Sequence, residues 1–534
     1  MGKSPRTNEI FQVPIESVNK EGFGVTTIEW DTMQKQIEPS QVTVRGALPG
    51  ETVRVRVVSV FSIGGSAIHT VRLVVFGRRE HLIRPRTDNE SWRSSIEDSL
   101  LPPGHEESRD YEPFGCPHFD RRHDEEACRG CSVPHLNYTR QVAEKTKLLK
   151  QSLLGAVDDS ILSNLQVEPR TQITRFANKF EIFAFSKRPL GIPVWGQLSW
   201  KDPLPGERRD KHFVATPECR LISKSATVVL NRMAKLIEAL HEEHGSMFAV
   251  HNEVINRGSL RSAVVQTCKD KNDANQVLLS IVTACETSQE FRKILQSQVA
   301  DRLMAEFPLL KGVNLIEPDG GAGAQIISLA GTSTITEYIP SVDLEIPIGP
   351  NSPKIDFEVK SKLFSALANT LGDVRSNDRI MEILGPYESP VSKLLSDVSV
   401  SVHSLSESHI QTTLEQGTNQ LQLLPIPSPA EVSDKVAVIT FPQNSGKAQI
   451  KGVTSKEFRH WLGNVVKPKR IVIITDRFDG LRKDIGHMKL LGYEIRSIKA
   501  VDSQPGVMDK IATIVVLQQK PTYQELSKEQ LIEE

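Results

Sequence analysis

Cysteine is scarce in this chain, six in 534 residues, which excludes a disulfide scaffold as the source of its stability. No apolar stretch approaches the roughly 20 residues of a membrane-spanning helix, so no membrane partner is expected. Excess charge is missing too: 65 Lys and Arg stand against 66 Asp and Glu, a formal net charge of −1. A chain so balanced offers no global attraction to a polyanion. Nucleic-acid contact must then come from local patches such as Arg54-Val-Arg56, Arg78-Arg79 with Arg84 and Arg86, and Lys467-Pro-Lys469-Arg470. The opening residues, MGKSPRTNEIFQ, hold neither an apolar stretch nor an Arg/Ser-rich amphipathic one. The cytoplasm is therefore the default location, with a mitochondrial one left open. There are no internal repeats and no low-complexity tracts.

What is present reads as several domains, because 534 residues exceed what one hydrophobic core supports. Residues 1–76 alternate in short β-branched strands punctuated by Gly and Pro, the pattern of a small OB-like antiparallel barrel. Residues 77–115 are charged and turn-rich, a linker. Residues 116–354 form an α+β unit that opens on a cysteine-rich knot running into an amphipathic helix from Tyr138 to Leu154. The Gly-rich GGAGAQ at 320–325 opens no helix and is expected to be a hairpin loop. From 355 to 520, helices alternate with apolar strands, which predicts a mostly parallel, Rossmann-like sheet. Residues 521–534 are a tail.

Cys116, Cys128 and Cys131 fall within one short loop, and Cys219 follows in ATPECRLIS. Four thiolates can hold zinc or an iron–sulfur cluster, and their spacing does not decide between them. His118 and His123, in the same loop, keep a mixed zinc site open. Cys268 and Cys285 stand among apolar residues and are expected to be buried packing residues.

The stretch Cys128-Arg-Gly-Cys131, followed by Pro134-His135-Leu136, Tyr138, Gln141 and Lys145, resembles the cluster motif of the RNA uracil-5-methyltransferases. Phe176-Ala177-Asn178-Lys179 is similar to that family's central YRNK stretch, so the resemblance covers almost the whole chain. It implies an N-terminal TRAM barrel, a [4Fe–4S] cluster on Cys116, Cys128, Cys131 and Cys219, and a C-terminal methyltransferase fold. It also implies an RNA partner, ribosomal or transfer RNA, with ribosomal or assembly proteins as further partners. The eleven residues between Cys116 and Cys128 exceed the usual spacing.

The family's chemistry needs a cysteine thiolate to add to uracil C6, a methyl donor, S-adenosylmethionine, and a base to take the C5 proton. Here the resemblance breaks down. The nucleophile pattern falls without a gap on Arg470 to Asp484 and puts Asp476 in the place of the cysteine. The downstream pattern falls on Asp502-Ser-Gln-Pro505 to Ile511 and puts Ile511 in the place of the base. The cofactor turn falls on Glu382-Ile-Leu-Gly385-Pro386-Tyr-Glu388, where Pro386 and Glu388 replace the glycines that let backbone approach a ligand. His403 stands for the acid after the second strand, and Glu358 for a cofactor-facing amide. Glu382, Gly385, Glu358 and His403 thus outline a degenerate cofactor site. The reading is of an RNA-binding, methyltransferase-like protein without catalysis, acting in ribosomal RNA maturation. An active enzyme with an atypical site is the alternative. In the barrel, Arg54, Arg56 and Arg72 are the expected phosphate partners, and Phe11, Phe23, Trp30 and Phe61 could stack on bases or fill the core.

Overall fold

The computed structural model describes residues 10–31, 37–45, 47–64, 71–84, 128, 131, 136, 138–200, 211–318, 324–352, 356–374, 379–384, 391, 394, 395, 401–406, 436–440, 462–475 and 480–520. Within these, three large sheets and one two-stranded ribbon organise the chain.

The N-terminal unit is a six-stranded sheet of β1 (Ile10–Pro14), β2 (Ser17–Val18), β3 (Gly24–Asp31), β4 (Ile37–Arg45), β5 (Thr52–Gly64) and β6 (Val71–Arg84). Its order is β1-β5-β6-β4-β3-β2. Period-two alternation is plain in β5, where Val53, Val55 and Val57 are buried while Arg54 and Arg56 are exposed. Among the described residues no closed ladder of the expected barrel is found. The sheet's two edges, β1 and β2, are consecutive pieces of one segment that changes partners: Ile15 donates its N–H to the Glu51 carbonyl (2.8 Å) and Glu16 to the Val25 carbonyl (3.0 Å). No ladder joins the edges among the described residues. The unit also runs to Arg84, beyond the expected boundary at 76.

The central sheet contains β8 (Lys179–Phe185), β9 (Val194–Trp200), β10 (Lys211–Ala215), β11 (Leu260–Lys269), β12 (Asn275–Thr283), β13 (Leu310–Pro318) and β14 (Ala324–Gly331). The order is β10-β9-β8-β11-β12-β13-β14, antiparallel apart from the β12–β13 pair. Helix α3 (Lys224–His244) covers one face. Ser223 caps its start by accepting the Ala226 N–H (3.2 Å), and Leu230, Met233 and Ile237 enter the core. Helices α4 (Gln289–Leu295) and α5 (Asp301–Glu306), joined by a wider turn at Gln296–Ala300, complete that layer. β13 and β14 pair antiparallel, from Gly312 with Gly331 to Pro318 with Ala324; of the expected Gly-rich hairpin loop, residues 320–323 lie outside the described residues. A two-stranded ribbon, β15 (Ile335–Ile339) with β16 (Leu344–Ile348), follows.

The third sheet has the order β18-β17-β19-β20-β22-β21-β7, from β17 (Arg379–Leu384), β18 (Ser401–Ser406), β19 (Val436–Thr440), β20 (Arg470–Thr475), β21 (Tyr493–Asp502) and β22 (Ile511–Gln519). β17, β18, β19 and β20 pair in parallel, and β22 runs antiparallel between β20 and β21. Both faces are covered, as a parallel sheet requires. In β20, Ile471 and Ile473 face one core with α7 (Leu481–Leu490), while Val472 and Ile474 face another with α6 (Phe357–Leu371). The first of these cores crosses the expected domain boundary. Leu149 and Leu153 of α1 (Tyr138–Leu153), Leu162 of α2 (Asp159–Asn164) and Val167 of β7 (Val167–Glu168) all belong to it, and β7 pairs with β21. The helix that follows the cysteine knot therefore packs with the C-terminal unit. No helix among the described residues is long and apolar enough to cross a membrane.

Candidate functional site

Parallel strands end on a common edge, and in open α/β sheets ligands bind outside that carboxyl edge. Here β17, β18, β19 and β20 end there at Leu384, Ser406, Thr440 and Thr475. Gly385 and Asp476 directly follow two of these ends but lie outside the described residues, as do Pro386 and Glu388. The register brings Ile511 to the same edge: Thr475 pairs with Thr513, and Ile511 precedes Thr513 by two residues and pairs with Asp502. The position expected for the base thus lies at this edge. Ile511, however, is fully buried in the apolar core with Leu149, Leu481 and Ile485, and a hydrocarbon side chain can neither take nor give a proton.

On the neighbouring strands, Glu382 pairs with Ser404, and His403 pairs with Met381. Glu358 sits in the first turn of α6, where its carboxylate accepts the backbone N–H of Thr171 (2.8 Å) and of Gln172 (3.3 Å). It also lies 3.3 Å from Lys362 and 3.6 Å from Arg170. Burial alone would raise its carboxyl, but these hydrogen bonds and cations hold it below the usual range. The side chain at the cofactor-facing position is therefore committed to the chain's own backbone.

Below this edge lies a buried ionic seam that pattern reading does not reveal. Lys145 and Asp502 are both completely buried and meet at 2.5 Å. The ammonium also donates to the carbonyls of Gln504 (2.8 Å) and Lys510 (3.2 Å). Burial pushes the Lys145 ammonium down against the pull of Asp502. Gln141, one turn earlier on α1, accepts the Gly506 N–H (2.7 Å), and the Tyr138 hydroxyl accepts the Arg170 N–H (2.6 Å). Arg170 grips Asp356 bidentately (2.5 and 2.8 Å) and lies 4.4 Å above the Phe176 ring. Asp356 in turn caps α6 by accepting the N–H groups of Glu358 and Val359. Tyr138, Gln141 and Lys145, read from sequence as a continuation of the cysteine motif, thus form one helical face that fastens the segment after the cysteines to the 502–510 loop.

The thiols are only partly assembled. Cys128 and Cys131 are half-buried and Cys219 is buried. Cys131 packs against the apolar cluster that contains Cys219, so two distant segments meet. Among the described residues, no group of three His, Cys, Asp or Glu is placed to hold a metal. Cys116, His118 and His123 lie outside them. Cys268 is buried as expected, donating to the Thr336 carbonyl (3.5 Å), and burial raises its thiol to about 12.

Of the expected phosphate partners, Arg54 and Arg56 are exposed on β5, and Arg72 takes the β6 register position opposite Ile63. Phe11 packs against the sheet's core and Phe23 is half-buried. Trp30 and Phe61 occupy positions on β3 and β5, opposite Glu38 and Val74.

No protein-family model matches the chain. It is similar to an uncharacterized RNA methyltransferase of Clostridium acetobutylicum, 24% identical over 426 residues, spanning 76% of this chain and 84% of that protein. A second, from Halalkalibacterium halodurans, is 22% identical over 493 residues, spanning 87% of this chain and 89% of that protein. Among solved structures, the tRNA (uracil-54, C5)-methyltransferase of Pyrococcus abyssi, in complex with S-adenosyl-L-homocysteine, is similar with a TM-score of 0.52 at 18% identity. That likeness covers 95% of this chain and 100% of the other. The chain therefore shares a methyltransferase fold over nearly its whole length.

Proposed function

We propose that this protein binds RNA on a methyltransferase frame without transferring a methyl group, and serves ribosomal or transfer RNA maturation, with ribosomal or assembly proteins as partners. The observation that carries the reading is Ile511, which fills the expected base position with buried hydrocarbon. Glu358, tied to the backbone of Thr171 and Gln172, supports it from the cofactor side. A working S-adenosylmethionine-dependent RNA uracil-5-methyltransferase is the second reading. It is favoured by the parallel strand order and by the likeness to the Pyrococcus abyssi enzyme.

RNA binding is assigned to the exposed Arg54 and Arg56 of β5 together with Arg72 of β6. With few phosphate contacts, the salt dependence should be shallow, on the order of three to five counterions released. Replacing Arg54 and Arg56 together by Ala should weaken RNA binding roughly tenfold and flatten the salt slope by about two. An unchanged affinity would remove the N-terminal sheet from the interface.

The same reading gives Cys116, Cys128, Cys131 and Cys219 to a [4Fe–4S] cluster, supported by the packing of Cys131 against the Cys219 cluster. Such a cluster would serve as a staple between the two segments. Protein purified without oxygen should be brown and contain iron, and Cys219→Ser should lose the colour. Stoichiometric zinc without iron would refute it.

A further inference from the structure

The β10 end of the central sheet carries features that neither the C-terminal edge nor the N-terminal arginines use. A groove of about 480 Å³ opens between β8, β9, β10 and one face of α3, lined by Val194, Trp195, Thr216, Leu230 and Ala234, a volume in the range of small-molecule sites. Trp195 and Thr216 are 8% and 6% exposed, and the indole Nε1 and the hydroxyl Oγ1 have no hydrogen-bond partner among the described residues. A donor left unmade in such surroundings costs stability, and a ligand that satisfies it recovers that loss. Lys235 and Glu238, one charge of each sign, are the ionisable groups lining the groove. It therefore selects a neutral ligand with a carbonyl for the indole and a partner for the hydroxyl.

At the turn joining β8 to β9 the groove meets an aromatic surface. Phe185 is 37% exposed and stacks on Phe213 with ring centroids 4.8 Å apart. It pairs across the strands with Val194, which lines the groove. The turn itself is tightly tied: Ser186 Oγ donates to the Arg188 carbonyl (2.7 Å), and the Gly191 N–H donates to the same oxygen (3.0 Å). A side chain at Gly191 would meet Ser186 Oγ at 2.5 Å. This turn presents Lys187 and Arg188, both exposed. Two cations, an open aromatic ring and a pocket with carbonyl-seeking groups lie within one short stretch of chain. That is the chemistry by which unpaired nucleic acid is held, backbone on cations and bases on rings.

We propose that this edge binds two consecutive unpaired RNA bases, the first stacked on Phe185 and the second, a pyrimidine with a ring carbonyl beside an N–H, seated in the groove against Trp195 and Thr216. Lys187 and Arg188 take the connecting phosphates. The proposal rests on the RNA-binding reading above and adds a second contact surface to it.

The test uses the full chain and a fluorescein-labelled octauridylate, read by anisotropy. Phe185→Leu, Trp195→Phe and the pair Lys187→Glu with Arg188→Glu should each weaken binding about five- to tenfold, with melting temperatures unchanged for the exposed Phe185 and the turn pair. Photo-crosslinking with a 5-iodouridine version should map to peptides containing Phe185 or Trp195. If the octauridylate binds but all three variants match the unaltered protein, or the crosslinks fall elsewhere, this proposal fails while RNA binding stands. If the unaltered protein binds no RNA even at low salt, both fail together.

Discussion

Replacing Lys145 by Met should destabilise the protein by about 3–5 kcal/mol, the usual cost of removing one partner from a buried ion pair. The cause is not the lost attraction alone. Asp502 has no exposed surface, so without Lys145 its carboxylate is left in the interior without the cation it pairs with. The effect should also be directional in space. Lys145 lies on α1 and Asp502 at the end of β21, so amide hydrogen exchange should rise first in α1 and the 502–510 loop. Lys145→Met with Asp502→Leu should recover much of the loss, because a pair of apolar groups strands no charge. Chemical denaturation of the two variants checks both statements.

Replacing Ile511 by Glu, the change that would restore a base, should instead cost on the order of 5 kcal/mol. The side chain is surrounded by Leu149, Leu481, Ile485 and their neighbours, and an unpaired carboxylate cannot be buried there without a penalty of several kcal/mol. Ile511→Val, which removes one methylene and no more, should cost about 1 kcal/mol. The contrast separates a core residue from a catalytic one. A stable, folded Ile511→Glu protein would mean that the position opens toward a cleft. Asp476→Cys alone should leave the protein without methyl transfer, since it repairs neither the buried Ile511 nor the engaged Glu358.

The parts of this fold that sequence made legible are those with local periodicity. The helix predicted from Tyr138 to Leu154 is observed from Tyr138 to Leu153, and the helix–strand alternation predicted from 355 opens with the helix Phe357–Leu371 after its Asp356 cap. Alternation in β5 told inside from outside because one face of that sheet is wet and the other is core. What escaped is what depends on distant partners. Pairs such as Lys145 with Asp502, or Arg170 with Asp356, join residues 357 and 186 positions apart, and nothing in a local window marks a charged residue as buried. The two-residue strand β7 is too short to show any period, yet it carries the 138–167 segment into the C-terminal sheet. The pairing order of the N-terminal sheet escaped for a related reason. Strand patterns give the number of strands, whereas the order of pairing depends on distant partners, and here the first segment changes partners from β5 to β3 at Ile15 and Glu16. Sequence named Ile511 and Glu358 only as positions in a pattern. What those side chains do, one filling a core and the other holding a neighbouring loop, required the packing around them.

The most direct measurement is mass spectrometry of nucleosides after incubating the unaltered protein with S-adenosylmethionine and an RNA free of 5-methyluridine, with binding of labelled S-adenosylmethionine followed in parallel. The account predicts RNA retained on the protein, no 5-methyluridine above background and no saturable cofactor binding. Formation of 5-methyluridine in proportion to protein would contradict it.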